Sequence, residues 1–150
     1  MSRGLGDVYK RQVLGGSAAT AVNAVAVIMV LGTAYNDALS EINAGAGTFT
    51  PVSTGTYRFW GVCEATCTAS TSTINNLFQT VTLYVDGVAT QQFGRIFWPY
   101  ANSTAATGDL SCSGMLSLTA AQVVTFRFVG SFAGTGLTAA PTVLHIQRLS

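Results

Sequence analysis

Charge is the scarcest thing in this chain. Asp, Glu, Lys and Arg make up 9% of its 150 residues, against about 25% in an ordinary soluble domain. The outer surface must therefore be built from Ser, Thr, Asn, Gln, Gly and Ala, or be covered by partners. Histidine is scarcer still, with His145 alone. One His and three scattered Cys lack the paired spacing of a zinc site. A catalytic His would also need a nucleophile and an orienting acid, and the sequence points to no such partners. Long apolar runs are missing too. Residues 13–35 carry no charge, but Gly15, Gly16, Ser17, Thr20, Asn23 and Gly32 interrupt them. What remains is Ala24 to Leu31, far short of the roughly 20 residues that a membrane helix requires. No internal repeat, heptad or long helical pattern is visible.

Cysteine is present in an odd number: Cys63, Cys67 and Cys112. An odd count cannot pair fully within one chain. On a continuous strand Cys63 and Cys67 share a face, too far apart to bond to each other. Two states stay open, buried free thiols or a Cys67–Cys112 bridge.

Residues 1–12 differ from the rest. They hold the only Lys and four of the thirteen charged residues. The segment resembles translated sequencing-adapter sequence, a scar of metagenomic assembly to be kept out of fold reasoning. The expected domain is then one unit, residues 13–150, with an authentic N-terminus upstream of the scar missing. Outside the scar there are four Arg against five Asp and Glu, a formal charge of −1. Nucleic-acid binding needs clustered Lys and Arg to neutralise phosphates, and none are clustered here.

What the chain does have is strand-forming sequence, rich in Thr, Val and Phe. Ala24–Leu31 reads as a strand buried on both faces, with Val25, Val27, Met29 and Leu31 on one side and Ile28 and Val30 on the other. Glu41–Gly47 reads as a loop. The organising stretch is Phe49–Phe59, where Pro51 and Gly55 punctuate a turn. Tyr57 and Phe59 then alternate with polar positions along a half-buried strand that runs on through Trp60, Val62 and Cys63. Thr66–Asn76 is a polar loop and Leu77–Val85 a strand. Asp86-Gly87 predicts a type I′ hairpin turn, in which both central residues take positive φ. Val88–Phe97 returns, Asn102–Asp109 is a loop, and Leu110–Leu118 a strand. Thr119–Gln122 turns into Val123–Val129, with Val124, Phe126 and Phe128 on one face. Gly130–Pro141 is a loop before the last strand, Thr142–Leu149. This rhythm of short strands predicts an all-β sandwich or jelly roll.

Phe49, Gly55, Tyr57 and Phe59 carry a further signal. Their spacing resembles the motif of the complement C1q globular head, within the tumour necrosis factor-like superfamily. Asp37, twelve residues before Phe49, fits the same pattern. Leu31 and Ile42 depart from it where aromatics are preferred, and so does Gly61. Ala121-Gln122 replaces the usual Gly-Asp after Leu116-Ser117-Leu118. The resemblance spans residues 22–149 and suggests a bacterial or phage member. It implies a jelly roll of about ten antiparallel strands that assembles as a homotrimer, with the N- and C-terminal strands side by side. Phe49, Gly55, Tyr57 and Phe59 would form the core motif. Arg58, Trp60 and Val62 would occupy the opposite face and meet neighbouring subunits. His145, on the last strand, would be an interface or core histidine. Apolar and aromatic residues on such a face need cover.

The expected role is a non-enzymatic head domain, extracellular or virion-associated, at a phage tail-fibre tip or on a secreted surface protein. A surface glycan or protein ligand would bind the loops near Thr66–Asn76, Phe97–Asp109 and Gly130–Ala140. Trp98 and Tyr100, with Asn102 beside them, are the candidate contacts because aromatic rings give rigid contact area. The alternative is a capsid decoration or minor capsid jelly roll. A tethered protein using residues 13–35 ranks lower. No cofactor or metal is expected. Asp37, Glu41 and Asp109 are weighed as calcium ligands and set aside.

Overall fold

Alternation of apolar and polar side chains becomes antiparallel pairing throughout. The computed structural model describes residues 10–17, 19–20, 26–35, 37, 39–67, 77–98, 106–130 and 137–149. Among these, every regular element is a strand. In chain order they are β1 (Lys10–Ser17), β2 (Ala19–Thr20), β3 (Val27–Ile28), β4 (Val30–Tyr35), β5 (Ile42–Asn43) and β6 (Thr48–Phe49). There follow β7 (Gly55–Cys67), β8 (Leu77–Val85), β9 (Val88–Trp98), β10 (Ala106–Leu118), β11 (Val124–Gly130) and β12 (Leu137–Arg148).

The hydrogen-bonded path runs β4-β1-β12-β7-β10-β9-β8-β11-β6-β5, with β2 beside β12 and β3 beside β11. It curls into two layers. Phe59 on β7 meets Phe126 on β11, four places along the path, with ring centroids 6.0 Å apart. Phe49 on β6 reaches Tyr57 at 5.4 Å and Phe59 at 5.8 Å, both edge-on. Such contacts need the two ends of the path folded face to face, as in a jelly roll. The seam between layers is narrow: β10 and β9 share the single registered pair Cys112↔Gly94.

The organising stretch is the centre of the core. Phe49, Tyr57 and Phe59 have no exposed surface, and Leu83, Val124 and Phe128 pack in the same cluster. The Tyr57 hydroxyl donates to the Ser53 carbonyl at 2.7 Å, which satisfies the one polar atom that the ring brings inside. Asp86 and Gly87 take φ of 51° and 83°, the positive pair that a type I′ turn demands. Asp86 also fastens the turn to the next hairpin, accepting from Val123 N at 2.9 Å and Gln122 Nε2 at 3.2 Å. β1 and β12 lie side by side, from Lys10↔Gln147 to Leu14↔Val143. β1 therefore begins within the adapter-like segment.

Several expectations need correction. The stretch around Met29 is not buried on both faces. Met29 and Leu31 are inside, but Ile28 is 40% and Val30 36% exposed. β4 ends the sheet path, and an antiparallel sheet is covered here on one side only. Strand also replaces loop at four places. Ile42–Asn43 forms β5 inside the expected Glu41–Gly47 loop and pairs with β6. Thr66 and Cys67 extend β7, Ala106–Asp109 opens β10, and Leu137–Pro141 opens β12. Ala106, Gly108, Asp109, Ala139, Ala140 and Pro141 are weak strand formers, yet the pieces of β10 and β12 pair along β7, from Ala106↔Cys67 to Asp109↔Glu64 and from Leu137↔Cys67 to Pro141↔Cys63. Pairing outweighs propensity here. Pro141 is tolerated because the β12–β7 register shifts between Pro141 and Val143, at a bulge where a ladder donor is not needed.

The Cys67–Cys112 bridge is ruled out by register. Cys67 stands opposite Ala106, whereas Cys112 stands opposite Gly61, about 20 Å further along the strand. The thiol near Cys112 is Cys63, with the sulfurs 3.9 Å apart.

Candidate functional site

β7 lies between β12 and β10, so its outward side chains form the middle row of one broad face. That row is Arg58, Trp60, Val62 and Glu64. Their neighbours in sequence, Tyr57, Phe59, Cys63 and Ala65, are buried on the other side. Register places His145 beside Trp60, Gln147 beside Arg58 and Val143 beside Val62 on β12. On β10 it places Ser113 beside Trp60, Ser111 beside Val62, Met115 beside Arg58 and Asp109 beside Glu64.

Trp60 organises the row. Its ring is stacked on His145 with centroids 4.9 Å apart and planes 14° from parallel. The Arg58 guanidinium carbon lies 5.1 Å from the Trp60 ring centroid, where the electron-rich face attracts a cation. Trp60, Val62, Val143 and His145 are only half-buried, and Met115 is 60% exposed. Ser111 and Ser113 are short and exposed, so the β10 side of Trp60 is left low. The result is an apolar and aromatic ridge with Arg58 at one end and the carboxylates of Glu64 and Asp109 at the other, and on β1 Lys10 stands in register with Gln147 at the Arg58 end. Arg58, Trp60, Val62 and His145 thus come together on one face.

The opposite layer shows a different surface. Arg127 packs 4.2 Å over the Tyr84 ring and donates from Nε to Thr125 Oγ1 at 3.2 Å. Arg95 packs 4.4 Å over Phe78. Each cation lies over a ring with a threonine opposite it, Thr82 for Arg127 and Thr80 for Arg95, and the exposed Ile28 of β3 stands on the other side of Arg127. The sequence reading missed both pairs, because each joins residues on separate strands whose register no local pattern reveals.

The weighed calcium ligands do not converge. Asp37 accepts from the backbone N–H of Glu41 at 3.0 Å and of Ile42 at 2.9 Å. Glu41 accepts from Val52 N at 2.7 Å. Both carboxylates thereby brace the turns around β5, while Asp109 sits on β10. Among the described residues no three His, Cys, Asp or Glu gather as a metal site would need. Trp98 closes β9, and only its backbone is described. Tyr100 and Asn102 lie outside the described residues, as do the middles of the three candidate ligand loops.

No family model and no curated protein matches the sequence. Solved structures do. The globular domain of zebrafish complement 1qA protein superposes with a TM-score of 0.62 at 16% identity, covering 96% of this chain and 98% of that one. The Eiger TNF of S. frugiperda gives 0.61 at 6% identity, covering 95% and 93%. Murine APRIL at pH 8.5 gives 0.54 at 12% identity, covering 93% and 98%. The fold is a C1q/TNF-like jelly roll. The Phe49–Phe59 motif therefore marks a real architectural likeness, with the motif aromatics inside and Arg58, Trp60 and Val62 outside. Identities this low establish the fold alone. Among the described residues, no helix is long and apolar enough to cross a membrane.

Proposed function

We propose that the chain is a non-enzymatic head domain that works as a homotrimer, with the β12–β7–β10 face turned toward its copies. One observation carries this reading: the Trp60–His145 stack stands half-exposed amid Arg58, Val62, Val143 and Met115, on a C1q/TNF-like fold. A tryptophan ridge of this kind on a lone chain leaves apolar surface in water. Interface centres favour this mix of aromatics, Met and Arg, with few other charges. Solution mass by light scattering tests it. Three times the 15.6 kDa of one chain is the expected value, and a stable monomer at micromolar concentration would sink the proposal.

The wider role is structural and recognition-related, at an extracellular or virion surface such as a phage tail-fibre tip. Loops at the ends of the sandwich would hold a glycan or protein ligand, with Trp98, Tyr100 and Asn102 as contacts proposed from sequence. Three-fold display would raise avidity without new contacts. A glycan array probed with the wild type and with the Trp98→Ala/Tyr100→Ala double variant tests this. Unchanged binding by a folded double variant rejects those residues. Residues 1–12 remain proposed as a foreign scar. A chain beginning at Val13 keeps most of β1, and its failure to fold would return the segment to the domain.

A further inference from the structure

Behind the assembly face, the core holds a pair of groups that the proposed function does not use. Cys63 on β7 and Cys112 on β10 both point inward, at 6% and 4% exposure. Their sulfurs lie 3.9 Å apart, and the Cys112 thiol donates to the Leu110 carbonyl at 3.4 Å. Register explains the meeting. Cys63 stands opposite Leu110 and Cys112 opposite Gly61, so the cysteines are diagonal neighbours on the same side of an antiparallel pair.

The surroundings give the sulfurs room. Cys112 has glycine on both flanking strands, Gly61 on β7 and Gly94 on β9. A Cβ added at Gly94 would come within 2.7 Å of the Cys112 sulfur. That sulfur occupies space which any other residue at Gly94 would fill. An apolar cavity of about 10 Å³ adjoins both cysteines, lined also by Met29, Leu31, Phe93 and Phe126. It has the volume of a single water, too little for a ligand but enough to let a side chain swing.

We propose that Cys63 and Cys112 are a cross-strand disulfide site, closed when the folding or breathing chain meets a small-molecule disulfide such as oxidised glutathione. Closing the bond brings the sulfurs from 3.9 Å to roughly 2.05 Å, and because diagonal neighbours start about 7–8 Å apart at Cα, β7 and β10 must draw together locally at this pair. The chemistry is thiol–disulfide exchange. The thiolate of one cysteine attacks a sulfur of the small disulfide, forming a mixed disulfide and expelling one thiolate. The second cysteine then attacks the mixed disulfide, expelling the other, and its proton passes to a departing thiolate. Two chain thiols are oxidised and one small disulfide is reduced to two thiols. Cys67 takes no part, because it lies opposite Ala106 and Leu137 at the end of β7.

The bond would join residues 49 apart, and such a cross-link restricts the unfolded chain. It would also pin β7 to β10. A one-residue slip between them would exchange the inner and outer rows, so the link guards the placement of Trp60 from within. The proposal stands whether or not the chain trimerises.

The test is to refold the full chain and its Cys67→Ser variant in a glutathione redox buffer. Free thiols are counted after denaturation, and peptides are mapped by mass. The expected result is loss of two thiols per chain in both proteins, a 63–112 cross-linked peptide, and a melting temperature raised by roughly 5–15 °C over the reduced form. Cys63→Ser and Cys112→Ser should show no intrachain link. Two remaining thiols in folded Cys67→Ser, or a melting temperature that falls on oxidation, would overturn the proposal. If Cys67→Ser does not fold, the wild-type peptide map decides: a link involving Cys67, or none, overturns it equally.

Discussion

The rings of Trp60 and His145 lie stacked, 4.9 Å between centroids, across two strands that are 85 residues apart in sequence. Neither ring is enclosed by its own chain. Replacing Trp60 with Arg puts a second cation beside Arg58 and removes the ridge. Trp60→Arg is expected to stay folded, because the position faces outward. It should shift the light-scattering mass from trimer to monomer. Gln147→Ala, beside Arg58 on β12, serves as the mild control and should leave the mass unchanged.

The inner side of β7, against which Phe49 of β6 packs, predicts the opposite behaviour. Phe49 has no exposed surface and meets Tyr57 and Phe59 edge-on. Phe49→Ala removes both contacts and leaves a hole, at a cost of about 3–5 kcal/mol. Tyr57→Phe keeps the ring but loses the bond to Ser53, at about 1 kcal/mol. Urea unfolding of the two variants should rank them in that order. Equal midpoints would show that Phe49 is not central to the core.

Gly61 has no room for a side chain. A Cβ there would stand 2.2 Å from the Val143 carbonyl oxygen and 3.0 Å from Leu144 Cα. Gly61→Ala must therefore prise β12 from β7, at a cost of about 1–3 kcal/mol. The same movement separates His145 from Trp60, so association should weaken along with stability. An unfolding midpoint within error of the wild type would refute the close approach. Glycine at this position thus has a local cause: the β12 backbone lies directly against β7 there.

Alkali should discriminate the reduced protein. The hydrogen-bond contact with Cys63, then burial, pushes the Cys112 thiol well above its ordinary 9.0. The folded chain keeps this proton at a pH where the unfolded chain releases it. Stability contributed by the group is complete below about pH 9 and declines as pH rises past it, approaching 1.4 kcal/mol per pH unit. Cys112→Ala should lack that part of the slope, and so should the oxidised protein. Parallel stability curves for wild type and Cys112→Ala from pH 8 to 10.5 would contradict the assignment.

Part of this was legible in the sequence, and the reasons are local. Tyr57 and Phe59 alternate with polar neighbours, and alternation fixes which side is buried. Asp86-Gly87 names its turn because few residues accept two positive φ values in succession. Other features depended on partners. Ile28 and Val30 are as apolar as Met29 and Leu31, and apolarity alone does not say which side another layer will cover. Ala106–Asp109 and Leu137–Pro141 look like loop, and only the length of β7 makes them strand. Cys112 pairs with Cys63 rather than Cys67 because of a register set over the whole β7–β10 ladder. The Trp60–His145 stack has the same origin, and neither residue's neighbours in sequence announce it.

The outer row of β7 also has a direction. Arg58 stands at one end and Glu64 at the other, about 20 Å away, with Asp109 beside Glu64. Copies related by rotation about an axis along this strand would meet level with level, cation against cation and carboxylate against carboxylate. Copies related by a two-fold axis across the strand would meet head to tail, Arg58 against Glu64. Added salt screens the repulsion in the first arrangement and the attraction in the second. The sign of the response of association to sodium chloride therefore reports the symmetry operator: strengthening marks rotation along the strand, and weakening marks the two-fold dimer.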